Sequence, residues 1–149
     1  MEVRNLRVGH QVKAVLRDKE SVRQDDVKQI ECVITGVIPT KTGYTVSIKD
    51  KNSDLQTSVD PECLYPVSLT VNLLKKLGFS NGRTVGTMVA TLNTDNGSRL
   101  ACIYDRTDNS LCIKKHGYPV LDMVYCDWLH ELQEYYHVLH IACPYFKMI

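Results

Sequence analysis

The chain has 149 residues, and 44% of them are hydrophobic, which is enough to bury one ordinary core or two very small ones. Its formal net charge is +1, and no block of five or six like charges occurs along it. An extended nucleic-acid surface is therefore not indicated. A small basic patch that holds one or two phosphates remains open.

The sequence also limits which membrane and redox properties we expect. No apolar run approaches the roughly 18 residues that a spanning helix needs, and the start, "MEVRNLRVGH", lacks the apolar core of a signal peptide. We expect a soluble, cytoplasmic protein with no membrane partner. None of the six cysteines forms a Cys-x-x-Cys pair. Cys102 and Cys112 flank a predicted turn and could face each other across it, but a reducing compartment disfavours a disulfide there.

Residues 1–67 predict a module of β-strands. The segments "HQVKAVL", "VKQIECVITGVIPT", "YTVSIKD" and "LQTSV" are rich in Val and Ile or alternate apolar with polar residues. The turns "KTGY" and "KNSD" separate them, and the charged stretch "RDKESVRQDD" is predicted to be a loop. Four or five short strands in so short a segment favour a small SH3-like β barrel.

Residues 68–149 predict a helix, a β meander and a second helix. Ser68 or Thr70 can cap the first helix, and Gly78 can end it. Its apolar residues stand at helical spacing: Leu69, Leu73, Leu74 and Leu77. The segments "TVGTMVATLN", "SRLACIYD" and "SLCIKKHGYPV" alternate, and the hairpin signals "TDNG" and "RTDN" separate them. They predict three antiparallel strands.

The last helix is predicted to begin near Asp122, shortly after Pro119. Its apolar stripe has spacings of three and four and would pack on the meander: Val124, Trp128, Leu132, Tyr135 and Leu139. The predicted fold class is therefore α+β, with a small SH3-like β barrel, a linking helix, and an antiparallel β meander packed by a C-terminal helix. The predicted modules are 1–67 and 68–149.

The stretch "DWLHELQEYYHVLH" raises a metal hypothesis. On a helix, His130, Glu134 and His137 share a face, and such a set could hold zinc or iron in a metal-dependent hydrolase. Three objections weaken it: the second histidine of His-Glu-x-x-His is absent, no other helix offers matching ligands, and this face is opposite the apolar stripe, as a solvated face must be. We therefore expect neither a metal nor another cofactor.

Other catalytic patterns are absent from the sequence. It contains no Gly-x-Ser-x-Gly, no Walker loop and no dinucleotide fingerprint. The stretch "FSNGRTVGT" has two glycines but no strand-turn-helix context, so it predicts a phosphate cradle only weakly. A Cys–His dyad is conceivable, yet nothing selects a pair. An enzymatic function is thus less expected than a binding function.

Three blocks of the sequence carry a resemblance: "NLRVGHQV", "LYPVSLTVNLLKKLGF" and "WLHELQEYYHVL". Together they resemble a family of small uncharacterised proteins of Bacteroidetes and their phages. Its members show an "LRIGN"-like opening, a "PIPLTEEWLLKFGF"-like helix and a final helix similar to "YVHQLQNLYFALTG". In that helix the shared positions are His130, Leu132, Gln133, Tyr136 and Leu139. Glu134 and His137 depart from the pattern, which has Asn and Phe there.

The resemblance implies a context rather than an activity. Small proteins of this type sit among phage accessory genes, which often counter host defence. We therefore expect a non-enzymatic binding protein in the host cell cytoplasm that sequesters a nucleotide-like signal or blocks a defence protein. Ligand binding would need aromatic faces and cations. The candidates are Arg99, Tyr104, Arg106, Lys114, Tyr125, His130, Gln133 and Tyr136. The remaining alternative is a structural homo-oligomer joined through a strand edge or the "YFKMI" tail.

Overall fold

The computed structural model describes residues 1–17, 27–115, 120–142 and 146. Of Leu121 and Ala142 it describes the backbone alone. The loop predicted over "RDKESVRQDD" and the "YFKMI" tail fall almost entirely outside these residues. The chain divides into two compact units, Met1–Val67 and Ser68–Ile149. In the described part of the chain, no helix is long and apolar enough to cross a membrane.

The first unit is one antiparallel sheet of five strands. They are β1 (Gln11–Arg17), β2 (Val27–Thr40), β3 (Gly43–Asp50), β4 (Gln56–Val59) and β5 (Leu64–Tyr65). Their order is β4-β3-β2-β1-β5, with short 3₁₀ turns at Val3–Asn5 and Pro61–Cys63. The four predicted strands are all present. The sheet is not closed, because no described pairing joins β4 to β5, so the predicted barrel is not observed as such.

The core of this unit lies on one face of the sheet. Its buried side chains are Leu6, Val12, Ala14, Ile30, Cys32, Ile34, Val46, Ile48 and Leu64. Burial, and next the charge of Asp50, raise the pKa of the Cys32 thiol to about 11. The opposite face is charged: Lys13 stands directly across from Glu31, and the Lys51 ammonium lies 3.8 Å from the same carboxylate. The same face also holds the partly exposed Val15 and Val33, whose cross-strand partners include the polar Gln29 and Lys49.

The second unit combines two helices with a second antiparallel sheet. Its elements are α1 (Val71–Lys76), β6 (Ser80–Asn81), β7 (Thr87–Thr94), β8 (Arg99–Asp105), β9 (Ser110–Lys114), β10 (Val120–Tyr125), α2 (Leu129–Val138) and β11 (Ile141–Ala142). The strand order is β10-β9-β8-β7-β11, and β6 pairs with the start of β7. Strands β7, β8 and β9 form the predicted three-stranded meander. The α+β class is confirmed.

Helix α1 begins and ends where its sequence signals predict. The Thr70 hydroxyl accepts a hydrogen bond from the Leu73 backbone N–H at 3.2 Å, which is the geometry of an N-cap. Gly78 follows the helix with φ at 92°, in the left-handed region that glycine enters at little cost. Leu74 and Leu77 are buried. The predicted helix is thus confirmed, although it spans only six residues.

The prediction that the last helix begins near Asp122 is wrong. Residues Val120–Tyr125 form strand β10, which pairs antiparallel with β9, and α2 begins only at Leu129. The Glu131 carboxylate accepts hydrogen bonds from the backbone N–H groups of Asp127 and Trp128, at 3.2 and 3.1 Å, and so marks the true start. In strand β10 these residues bond to the backbone N–H and C=O groups of β9. A helix at this position would leave those groups of β9 unpaired at the edge of the sheet.

The possible approach of Cys102 and Cys112 is also excluded. In the β8–β9 ladder Ile103 stands opposite Cys112, and Cys102 stands opposite Ile113. Neighbouring residues of a strand point to opposite faces, so the two thiols lie on different sides of the sheet. Both are free cysteines.

The cap of α1 provides a stability test. Replacing Thr70 by Ala removes the acceptor for the Leu73 N–H, and we expect the free energy of unfolding to fall by about 1 kcal/mol. Thr70→Ser keeps the hydroxyl and should remain close to the wild type. Urea denaturation of the three proteins measures the difference. Equal midpoints for the Ala and Ser variants would contradict the capping role.

Candidate functional site

The sheet of the second unit has one face covered by a helix. The buried residues of this inner face are Met88, Ala90, Leu92, Leu100, Cys102, Tyr104, Leu111 and Ile113. The Tyr136 hydroxyl of α2 donates a hydrogen bond to the Cys102 Sγ at 3.6 Å, which places the helix on this face. Leu129 and Leu132 of α2 are buried with it. The alternate residues of the same strands must therefore point away from α2.

Those alternate residues form an apolar row across four strands on the outer face. Val89 stands opposite Ile103, Ile103 opposite Cys112, and Cys112 opposite Met123. We call these four residues the apolar row. Met123 is 52% exposed, and the other three are partly exposed. At about 4.8 Å between strands, the row is about 14 Å long.

One end of the outer face is cationic. Lys114 stands opposite Ala101, next to the apolar row, and Arg99 precedes Ala101 by two residues, so the two cations are diagonal neighbours. Both side chains are exposed. Among the described residues, neither cation has an ion pair or a side-chain hydrogen bond. We call Arg99 and Lys114 the cationic end.

The other end of the outer face carries an acid and a phenol. Asp105 stands opposite Ser110, and Ser110 stands opposite Tyr125 on the edge strand β10. The Asp105 carboxylate accepts hydrogen bonds from the Thr107 hydroxyl at 2.6 Å and from its backbone N–H at 2.9 Å. These bonds hold the pKa of Asp105 below its ordinary value, so it is ionised at neutral pH. We call Asp105 and Tyr125 the acidic end.

The predicted ligand residues separate into three groups. Arg99, Lys114 and the 63%-exposed Tyr125 come together on the outer face. Arg106 is exposed in the turn that follows β8, and Gln133 is partly exposed on α2. The other three, Tyr104, His130 and Tyr136, are buried. The structure therefore brings together three of the eight on one open surface.

The two buried tyrosines act as core residues with bonded hydroxyls. Tyr104 is 2% exposed, and its hydroxyl lies 2.9 Å from the Cys126 carbonyl and 3.2 Å from the Asn109 side-chain oxygen. Burial raises the pKa of Tyr104 to about 12. Tyr136 is 1% exposed, and its ring lies 5.5 Å from that of Phe146. Neither ring presents a face to a ligand in solution.

His130 was predicted on the solvated face of the last helix and is instead 7% exposed. The buried residues of α2 are Leu129, His130, Leu132 and Tyr136, and of these only Leu132 belongs to the predicted apolar stripe. Glu134 is only partly exposed and His137 is exposed, so the three proposed ligands differ in surroundings. In residues 1–17, 27–115 and 120–142, no group of three His, Cys, Asp or Glu side chains could hold a metal.

The apolar row was not singled out from the sequence, although its signal was present. The alternation that predicts strands β7, β8 and β9 also divides their residues into two faces. Val89, Ile103 and Cys112 are apolar at positions where a strand with one solvated face would carry polar residues. A second apolar face opposite the core face indicates a contact surface.

Comparison with known proteins adds no further constraint. No protein-family model matches the chain, and searches of curated proteins and of solved structures give no match.

The assignment of Tyr104 to the core can be tested by removing its hydroxyl. Tyr104→Phe leaves the Cys126 carbonyl and Asn109 without this partner, and we expect the free energy of unfolding to fall by about 1–2 kcal/mol. Tyr125→Phe is the matched control, since Tyr125 is exposed, and should change stability little. Thermal or urea denaturation compares them. A Tyr104→Phe protein as stable as the control would contradict a structural role.

Proposed function

We propose that this chain is a non-enzymatic binding protein that contacts a protein partner through the outer face of its second sheet. The observation that carries the proposal is the apolar row, which is partly exposed and lies next to Arg99 and Lys114, two cations without an ion pair among the described residues. Interfaces between proteins combine an apolar centre, enriched in Met and aromatic residues, with a charged rim that includes Arg. Met123, Tyr125 and Arg99 provide those elements on one surface.

The outer face of a sheet is an open surface, which favours a protein over a small ligand. Small-molecule sites are concave and enclose most of the ligand, whereas the apolar row lies along an open sheet. The resemblance to phage accessory proteins supports the choice of partner. In that context, the partner is a host-defence protein in the host cytoplasm, whose active or assembling surface this chain covers.

A second candidate function is the sequestration of a nucleotide-like signal. The cationic end could bind phosphates, and the Tyr125 ring could stack on a base. Tyr125 stands opposite Ser110, and Lys114 follows Ser110 by four residues along β9, which corresponds to about 13 Å. That span exceeds a single nucleoside monophosphate, so a dinucleotide fits this arrangement better.

For the first unit we propose an SH3-like barrel that is open between β4 and β5. The strand order β4-β3-β2-β1-β5, in which the last short strand returns to β1, supports this assignment. The single apolar core on one face of the curved sheet is also typical of such barrels.

Protein binding is tested by capture with matched variants. The immobilised wild type, Met123→Glu and Val138→Glu are each exposed to host lysate, and the bound proteins are quantified by mass spectrometry. Met123 and Val138 are similarly exposed, at 52% and 60%, but Val138 lies on α2. We expect one partner that the wild type and Val138→Glu retain and that Met123→Glu loses at least tenfold. Equal capture by all three would contradict the proposal.

Nucleotide binding is tested by calorimetry against a panel of cyclic dinucleotides and ADP-ribose derivatives. If the second candidate is right, one ligand binds the wild type, and the double variant Arg99→Ala with Lys114→Ala weakens its affinity at least tenfold. Arg4→Ala is the control, because Arg4 is exposed in the first unit and pairs with Glu2. No heat with any ligand would end this alternative and leave the first one standing.

A further inference from the structure

The outer face of the second sheet has opposite charges at its two ends. Arg99 and Lys114 lie on one side of the apolar row, and the ionised Asp105 lies on the other. The charges are separated along the strand direction, whereas the row runs across the strands. A surface of this kind can be complementary to itself, because an apolar strip lies between a donor end and an acceptor end.

Only one two-fold arrangement of two such faces matches both charge and hydrophobicity. An axis along the strands would place Arg99 and Lys114 over the same cations of a second copy, and like charges in contact are unfavourable. An axis along the apolar row exchanges the two ends. It places the cationic end of each copy over the acidic end of the other, and each apolar row over its counterpart.

We propose that a second copy of the chain also binds this face, packed face to face about a two-fold axis that runs along the apolar row. In this pair Arg99 and Lys114 face the partner's Asp105, and Met123 packs on the partner's Met123. The proposal goes beyond the binding function above, since it requires no other protein. It also predicts competition, because the pair and a host partner would cover the same surface.

The size of the face determines how tightly the pair holds. Four strands at about 4.8 Å and seven residues at about 3.3 Å give a projected area on the order of 400 Å² per copy. Stable interfaces bury about 800 Å² per partner, so this face is below their range and has the size of a weak, transient interface. The pair is therefore a reversible dimer that forms as concentration rises, not a permanent one.

Sedimentation velocity over a concentration series measures the pairing of the full chain. We expect the wild type to shift from monomer to dimer, and Met123→Glu to raise the dissociation constant at least tenfold by placing two carboxylates on the axis. Val138→Glu, on α2, should behave as the wild type does. A wild type that stays monomeric at every concentration, or a dimer that Met123→Glu does not weaken, would overturn the proposal.

A charge exchange tests the direction of the axis. Arg99→Glu with Lys114→Glu, and separately Asp105→Lys, should each weaken the dimer at least tenfold, because each brings like charges together. Mixing the two variants should restore it, since both contacts between unlike copies are again attractive. Failure of the mixture to pair would exclude this axis. Asp105 also accepts the hydrogen bonds that organise its turn, so Asp105→Lys could disturb the turn. Asp105→Asn is therefore a second variant, because it keeps the acceptor oxygen and removes only the charge. It should weaken the dimer in low salt.

A cross-link provides an independent distance test. Cys112 lies within the apolar row and faces its counterpart across the axis, so a short bis-maleimide should link two copies through it. Cys112→Ser should abolish the cross-linked dimer, whereas Cys63→Ser, in the first unit, should not. A cross-link that survives Cys112→Ser would contradict the arrangement. A monomeric wild type that still captures a host protein through Met123 would end this proposal alone and leave the proposed function intact.

Discussion

The constraint on which the second unit depends is the two-sided character of its sheet. Each strand sends alternate side chains to opposite faces, and helix α2 covers only the face that holds Leu111, Ile113 and Tyr104. Burial of that face stabilises the unit and leaves the other face outside the core. The row from Val89 to Met123 is apolar although the core does not require it. This partly exposed apolar row is the feature on which the proposed contact rests.

The first unit shows what a sheet face looks like when only the core shapes it. Its buried side is apolar, and its other side presents Lys13 opposite Glu31, Val15 opposite Gln29, and Val33 opposite Lys49, so no apolar row crosses its strands there. The two sheets share antiparallel pairing and one packed side. They differ in the outer face, and the difference lies in side-chain chemistry at equivalent alternating positions. This contrast assigns the candidate site to the second sheet.

Local patterns predicted most of the fold, and failed where two periodicities overlapped. Strands such as β2 and the cap of α1 follow from Val and Ile content and from Thr70, because those signals act within a few residues. Val124 fitted a helical stripe through Leu132, so β10 was predicted as part of the helix. β10 pairs with β9, from which residues 115–119 separate it in the sequence, and a short window of sequence does not reveal such a pairing. The same stripe led to the prediction that His130 lies on the surface, whereas it is buried in the core.

The position of the candidate site also limits what the family resemblance can say about function. In the final helix the positions shared with the family include His130, Leu132 and Tyr136, all of which are buried. The three similar blocks cover residues 5–12, 64–79 and 128–139, whereas the outer face is built entirely from residues 87–125. The proposed contact face therefore depends on residues outside the three blocks, chiefly Arg99, Lys114 and Met123.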